Sequence, residues 1–368
     1  YCNLFSLQTN RTEYIATYLD TLHRQAQQLS PLTAGLTFDS FAIGGGTPLL
    51  LTVPQLEQLM ATAALFGVHP SHAFTSVETS PEYADRPRLN VLKKAGVSRV
   101  SIGIQSFQDE ELKAIKRRPR QNTIYQALDD IRQMDFPYFN IDLIYGIKGQ
   151  TVESFLYSLE EALRFQPNEL FIYPLYVRQG TGITEREPDD VCFRMYRAAC
   201  KLLQAKGFLQ TSMRRFIHHP STDAEVSCGD EVMLSCGSGG RSYLGDLHYA
   251  TRYTVCQQCI AREIDEYMAT TDFTVARNGF ILSAKEQQQR FIIKNLMYYM
   301  GIDKAEYTRR FGEPLDRTPL FRQLAEQYWI EETPERIRLT PEGLGYSDYI
   351  GQLFITPEIR QLMETYSY

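Results

Sequence analysis

Five residue groups have the types and spacing to do chemistry. Gly44-Gly45-Gly46-Thr47-Pro48 follows a strand-like run and precedes a helix start. Three glycines in succession let a backbone approach a ligand closely and turn its N–H and C=O groups toward a polar head. The same run also makes a tight turn with no ligand, and it lacks the lysine of a phosphate-binding loop and the spacing of a dinucleotide fingerprint. Glu78, Gln105, Arg117 and Asp142 fall on or just after the ends of consecutive strand-like segments. Two carboxylates, an amide and a guanidinium on one rim suit a ligand with ribose hydroxyls, an amine and a carboxylate, since hydroxyls and amines want acceptors and a carboxylate wants arginine. Any one of them taken singly is as well read as structural.

The elements that must position these groups alternate. Residues 12–28 carry Tyr14, Ile15, Tyr18, Leu19 and Leu22 at the spacing of one helix face, and Thr37 to Ile43 alternates before stopping at the glycines. Thr52-x-x-Gln55 with Pro54 is a capping box that starts a helix through Leu65. Strands are expected at 73–79, 98–104, 138–145 and 169–174, and helices near 88–95, 109–117, 122–134 and 151–164. Regular β–α alternation with short links predicts a parallel sheet with right-handed crossovers, whose working face lies at the strand C-terminal ends. A further strand upstream of Tyr1 would bring the five to six, the count of an incomplete barrel.

The remainder is read more coarsely. Residues 176–190 form a loop rich in glycine, proline and charge, 191–206 an amphipathic helix, and 207–257 mixes short strands at 208–211, 233–234 and 241–244 with glycines. From 283, three helices (283–300, 303–311, 316–327), two strands (329–331, 336–340) and one last helix read as a winged-helix-like module. Three regions follow: a barrel over 1–180, a linker and substrate-side extension over 181–275, and a C-terminal module over 276–368.

Composition narrows the function. The 368 residues are 43% apolar and 22% charged, which excludes disordered and collagen-like classes. A formal charge of −6 favours neither nucleic acid nor a lipid surface, so a small-molecule substrate is expected. No apolar run approaches the length of a membrane span, and a cytoplasmic protein is expected. Seven cysteines in a chain of this size do not read as a disulfide framework. Cys256-x2-Cys259 is a metal or redox pair, or incidental; Cys228 and Cys236 flank a glycine-rich turn that could line a pocket. Arg214-Arg215 and His218-His219 are either anion ligands or solvated surface, and Arg241, Tyr243 and His248 either face the same cavity or pack.

Cys2-Asn3-Leu4-Phe5, Gly44 to Pro48, Val77 to Glu82, Arg99 to Phe107 and Ile141 to Gly146, in that order, resemble the motif series of radical S-adenosylmethionine (SAM) enzymes. The nearest group is the oxygen-independent coproporphyrinogen III oxidase family, which includes the heme chaperone HemW. The resemblance covers residues 1 to about 180, with a C-terminal module similar in kind. It implies an α/β fold, a partial (β/α)6 TIM-like barrel with a smaller winged-helix-like module. It also implies a [4Fe–4S] cluster with Cys2 as third ligand and two more cysteines upstream. Reductive cleavage of SAM would then yield a 5′-deoxyadenosyl radical. Gly44, Gly45, Gly46 and Thr47 would hold the methionine end, and Glu78, Gln105, Arg117 and Asp142 the amino-acid and ribose groups. The implied partners are a tetrapyrrole-like small molecule and an electron donor such as flavodoxin or ferredoxin. Leu4 stands where the oxidases place a fourth cysteine, Asn3 where the chaperones place aspartate, and Lys148 where the family places proline, the pattern of a side branch.

Overall fold

The computed structural model describes residues 5–7, 9, 11–68, 73–118, 120–177, 182–218, 232–252, 254, 256–315 and 318–365. Helix α1 (Thr12–Leu29) leads into β1 (Ser40–Ile43), α2 (Val53–Ala64), β2 (Phe74–Thr79), α3 (Arg86–Lys94) and β3 (Arg99–Gln105). Then come α4 (Asp109–Ala114), α5 (Gln121–Met134), β4 (Tyr138–Tyr145), α6 (Val152–Leu163), β5 (Glu169–Pro174) and α7 (Asp189–Ala205). Two hairpins follow, β6 (Leu209–Gln210) with β7 (Arg215–Ile217) and β8 (Arg241–Leu244) with β9 (Leu247–Ala250), then α8 (Gln257–Ala269) and β10 (Gly279–Ile281). The chain closes with α9 (Ala284–Leu296), β11 (Ile302–Asp303), α10 (Lys304–Phe311), α11 (Pro319–Glu326), β12 (Ile330–Glu332), β13 (Arg336–Leu339), α12 (Pro341–Gly345), α13 (Ser347–Leu353) and α14 (Pro357–Thr365).

Two compact units result, residues 1–195 with 219–280, and residues 196–218 with 281–368. The first unit contains five parallel strands in the order β1-β2-β3-β4-β5, each beside its sequence neighbour. That is the β/α alternation of a partial TIM-like barrel. The capping box read from the sequence starts α2, the Thr52 N–H donating to Gln55 Oε1 at 3.0 Å, and a second one starts α6, where the Ser154 N–H donates to Thr151 Oγ1 at 3.1 Å. Alternation assigns the two faces of the sheet. Val77, Val100, Ile102, Ile104, Ile141 and Leu143 are fully buried on the face toward the helices. Their neighbours Ser76, Glu78, Ser101, Gln105, Asn140 and Asp142 share the opposite, lumen face.

The second unit has the α9-β11-α10-α11-β12-β13 order of a winged helix, with a three-stranded sheet ordered β11-β13-β12. Phe291, Leu296, Ile302, Phe321 and Ile350 centre its core. One expectation is corrected here, and one strand goes unforeseen. Strand β11 is too short to show a period, so its place in the sheet goes unread. The single last helix is three, because Tyr346 breaks the first from the second and Phe354 to Thr356 the second from the third. No described helix is long and apolar enough to cross a membrane.

Candidate active site

Gly44 to Thr47 leaves β1 exposed at its C-terminal end, and Thr47 caps a short turn over Pro48–Leu50. Gly45 takes φ +112°, and nothing lies within 4 Å of where a Cβ would stand. A Cβ on Gly44 would come 3.1 Å from the Glu78 carboxyl, so the glycine is what lets β2 bring that carboxylate against the loop. Burial of the carboxyl raises the Glu78 pKa although the residue opens to the lumen mouth, and the Gly45 N–H and the Arg99 charge partly offset this. On the other side, Gly46 packs toward Ser6. Cys2 itself lies outside the described residues.

Gln105 ends β3 with φ +74°, where the register to β4 shifts between Gly103 and Gln105. A left-handed conformation in a non-glycine residue is strained and re-aims the side chain. The amide folds back over Gly103, whose Cβ, if present, would lie 2.5 Å from Gln105 Nε2. Arg117 reaches the same glycine, its Nη1 donating to the Gly103 carbonyl at 2.7 Å. It comes there from the end of α4 and not from a strand end as expected. The Lys116 N–H bonds Lys113 O at 2.9 Å and the Arg117 N–H bonds Leu112 O at 2.8 Å, a Schellman stop that turns the chain back toward the sheet.

Asp142 is paired in register with Gly103. Asn140 Nδ2 donates to Asp142 Oδ1 at 2.7 Å and the Ser101 hydroxyl to Oδ2 at 3.3 Å. Burial nonetheless pushes Asp142 up to about 7, with the Asn140 hydrogen bond and Arg99 pulling it down and Glu78 and Glu169 pushing it further up. Gln105 and Arg117 thus meet at Gly103, Asp142 is the partner of that glycine on β4, and Glu78 pairs in register with Ser101, which donates to Asp142. Below them Arg99 Nε and Glu169 Oε2 form an ion pair at 2.6 Å, with only 12% and 2% of the side chains exposed. Gly103, Ser101, Asn140, Arg99 and Glu169 are the neighbours of this cluster that sequence reading did not single out as site residues. For all but Glu169 the signal is the polar or small residue at every second position of Arg99-x-Ser101-x-Gly103-x-Gln105 and Asn140-x-Asp142.

The other candidates lie elsewhere. Arg214 is held by Asp348, and His218 stands edge-on to Phe208 at 5.1 Å. Tyr243 and His248 face each other across the β8–β9 hairpin at 4.2 Å, with Phe280 stacked on His248 at 5.1 Å. The Cys236 turn is fastened to α1: Gln25 Oε1 accepts from the Gly237 N–H at 2.8 Å, and the Tyr18 hydroxyl accepts from the Ser238 N–H at 3.0 Å. Burial pushes the Cys236 thiol up to about 12. Cys256 caps α8 with Cys259 one turn on, and Cys228 and His219 are outside the described residues. No group of three or more metal-ligating side chains is found among the described residues.

Comparison with known proteins bears on this arrangement. Residues 9–162 match the radical SAM superfamily, and residues 282–345 match the HemN C-terminal domain. The oxygen-independent coproporphyrinogen III oxidase of Salmonella typhimurium is 30% identical over 377 residues, covering 93% of this chain and 79% of its own length. The heme chaperone HemW of Bacillus subtilis is 26% identical over 372 residues, covering 96% of each. The solved structure of coproporphyrinogen III oxidase from Escherichia coli superposes with a TM-score of 0.80 at 22% identity, over 96% of this chain and 86% of that one, and shows the fold. The superfamily implies a [4Fe–4S] cluster and S-adenosylmethionine. A parallel β/α sheet with its polar groups at the strand ends, a HemN-type C-terminal module and a 30% identical oxidase agree: the chain belongs to the radical SAM family of oxygen-independent coproporphyrinogen III oxidases and HemW-type heme chaperones.

Proposed function

We propose that the lumen cluster binds SAM and that the chain is a radical SAM enzyme acting on an organic, tetrapyrrole-like substrate. The observation that carries this is the convergence of Glu78, Gln105, Arg117 and Asp142 beside the glycine loop. The residues fit the ligand: the backbone at Gly44 to Gly46 is exposed with open space at Gly45, and the set of two acids, an amide and a guanidinium matches an amine, a carboxylate and two ribose hydroxyls. Gly45, Gly46 and Thr47 cradle the methionine end. Glu78 takes the amino group, Arg117 with Gln105 the carboxylate, and Asp142 accepts from the ribose hydroxyls. Cys2 supplies one thiolate to the cluster, with partners upstream. When bound, the cluster and SAM supply one-electron cleavage of the sulfonium and hydrogen abstraction from the substrate. Loss of a carboxylate and methyl transfer are the two outcomes open to that substrate.

The test uses the chain with its natural upstream segment, purified without oxygen, reconstituted with iron and sulfide, and mixed with SAM and dithionite. 5′-Deoxyadenosine detected by mass, absent in Cys2→Ala and strongly reduced in Glu78→Ala or Asp142→Ala, is the expected result. No product from protein carrying a full cluster overturns the enzyme reading. The 96% mutual coverage with a HemW supports a second reading, a heme chaperone. A stable Soret band on mixing with heme, together with no 5′-deoxyadenosine, would establish it in place of the first.

A further inference from the structure

The Arg99–Glu169 pair has no place in ligand contact as described above, yet it is almost fully buried. Arg99 stands on β3 and Glu169 on β5, so the pair spans the lumen side of β4. Tyr138 is opposite Arg99 and Asn140 opposite Glu169 in register, which roots Glu169 one layer and Arg99 two layers below Asp142. Arg99 also lies over the Phe171 ring at 5.4 Å and donates to Ser76 Oγ at 3.5 Å. A buried ion pair is a poor way to stabilise a core, because desolvation of both charges consumes most of their attraction and apolar side chains of like volume often do better. Its retention here calls for another use.

That use lies in the layer above. Arg99 on β3 favours the charged form of Asp142, Glu78 on β2 and Glu169 on β5 oppose it, and a second cation, Arg117, reaches Gly103, the register partner of Asp142, from the end of α4. Arg99 also acts on Glu78. We propose that Arg99, held in place by Glu169, is a positioning residue that keeps Asp142 ionised and accepting hydrogen bonds, and so sets the pH below which the site releases its adenosyl ligand. The proposal rests on the reading of the cluster as a SAM site. A carboxylate accepts at both oxygens, whereas the protonated acid gives up acceptor capacity and presents a donor to hydroxyls that need acceptors.

The sign follows from the charges. Asp142 is raised to about 7, so affinity is full above that pH and falls as pH drops through it. Removing the Arg99 charge removes an attraction and must move the midpoint to higher pH. Removing the Glu169 charge removes a repulsion while Ser76 and Phe171 still hold Arg99, and so moves it to lower pH.

The experiment measures the dissociation constant of S-adenosylhomocysteine on the cluster-reconstituted full chain by calorimetry between about pH 5 and about pH 9, a range that brackets this carboxyl and a shift of about one unit either way. Wild type is expected to weaken about tenfold per pH unit below the midpoint, as one proton demands. Asp142→Asn should give a flat profile. Arg99→Met should shift the midpoint up and Glu169→Gln down, each by about one unit. Arg99→Lys, which keeps the charge, should stay near wild type. Midpoints that do not move, or move the same way in both charge-removing variants, overturn the proposal. If Arg99→Met does not fold, the downward shift of Glu169→Gln decides alone. Absence of binding at every pH in wild type would instead overturn the SAM-site reading, while binding with a flat wild-type profile overturns only this inference.

Discussion

At the scale of single residues, the site depends as much on what is missing as on what is charged. Gly103 holds the Gln105 amide and the Arg117 guanidinium together by having no side chain. A methyl there would stand 2.5 Å from Gln105 Nε2, so Gly103→Ala must expel the amide from the lumen. We expect S-adenosylhomocysteine affinity to fall at least about tenfold with a stability loss of about 1–3 kcal/mol, the usual range for a tight overpacking. Calorimetry beside a thermal melt checks this, and unchanged affinity would show that Gln105 does not contact the ligand. The sequence announces Glu78, Gln105 and Asp142, because each interrupts an apolar strand near its C-terminal end. It does not announce the Arg99–Glu169 pair: the partners are 70 positions apart on strands that are not adjacent, and nothing local to either residue points to the other.

At the scale of elements, most strands and helices could be read in advance, with errors at ends where tertiary contacts decide. Helix α4 ends at Ala114 and not at residue 117, since Lys116 enters the left-handed region at φ +60° and closes the Schellman turn. That early stop is what carries Arg117 to the sheet. A left-handed lysine is disfavoured and a β-branched residue there far more so. Lys116→Gly should therefore keep the melting temperature and the ligand affinity or raise them slightly. Lys116→Val should lose about 1–2 kcal/mol and weaken ligand binding through a misplaced Arg117. Equal behaviour of the two variants in a melt and a binding isotherm would count against this account of Arg117. Strand β11, two residues long, has no period to read, and the β8–β10 sheet is held by the aromatic contacts of Tyr243, His248 and Phe280, which no alternation marks.

At the scale of the whole molecule, the thiols separate by environment. Burial raises Cys192, and pushes Cys200 up to about 11 and Cys236 up to about 12. Cys256 is exposed, and its neighbour Cys259 holds it below the ordinary thiol value. Because the thiolate is the reactive form, brief iodoacetamide treatment near about pH 7.5 should alkylate Cys256 first and Cys200 and Cys236 last among the described cysteines. Peptide mass mapping reads the order, and early modification of Cys236 would show that its turn opens away from α1. The five-strand order adds a consequence of another kind. Each of β2 to β5 joins the edge left by the strand before it, and none must be threaded between two already paired. As a ribosome releases this chain, the sheet can therefore grow from β1 outward, each new strand finding its partner already in place and closing a loop of one helix, or of two between β3 and β4.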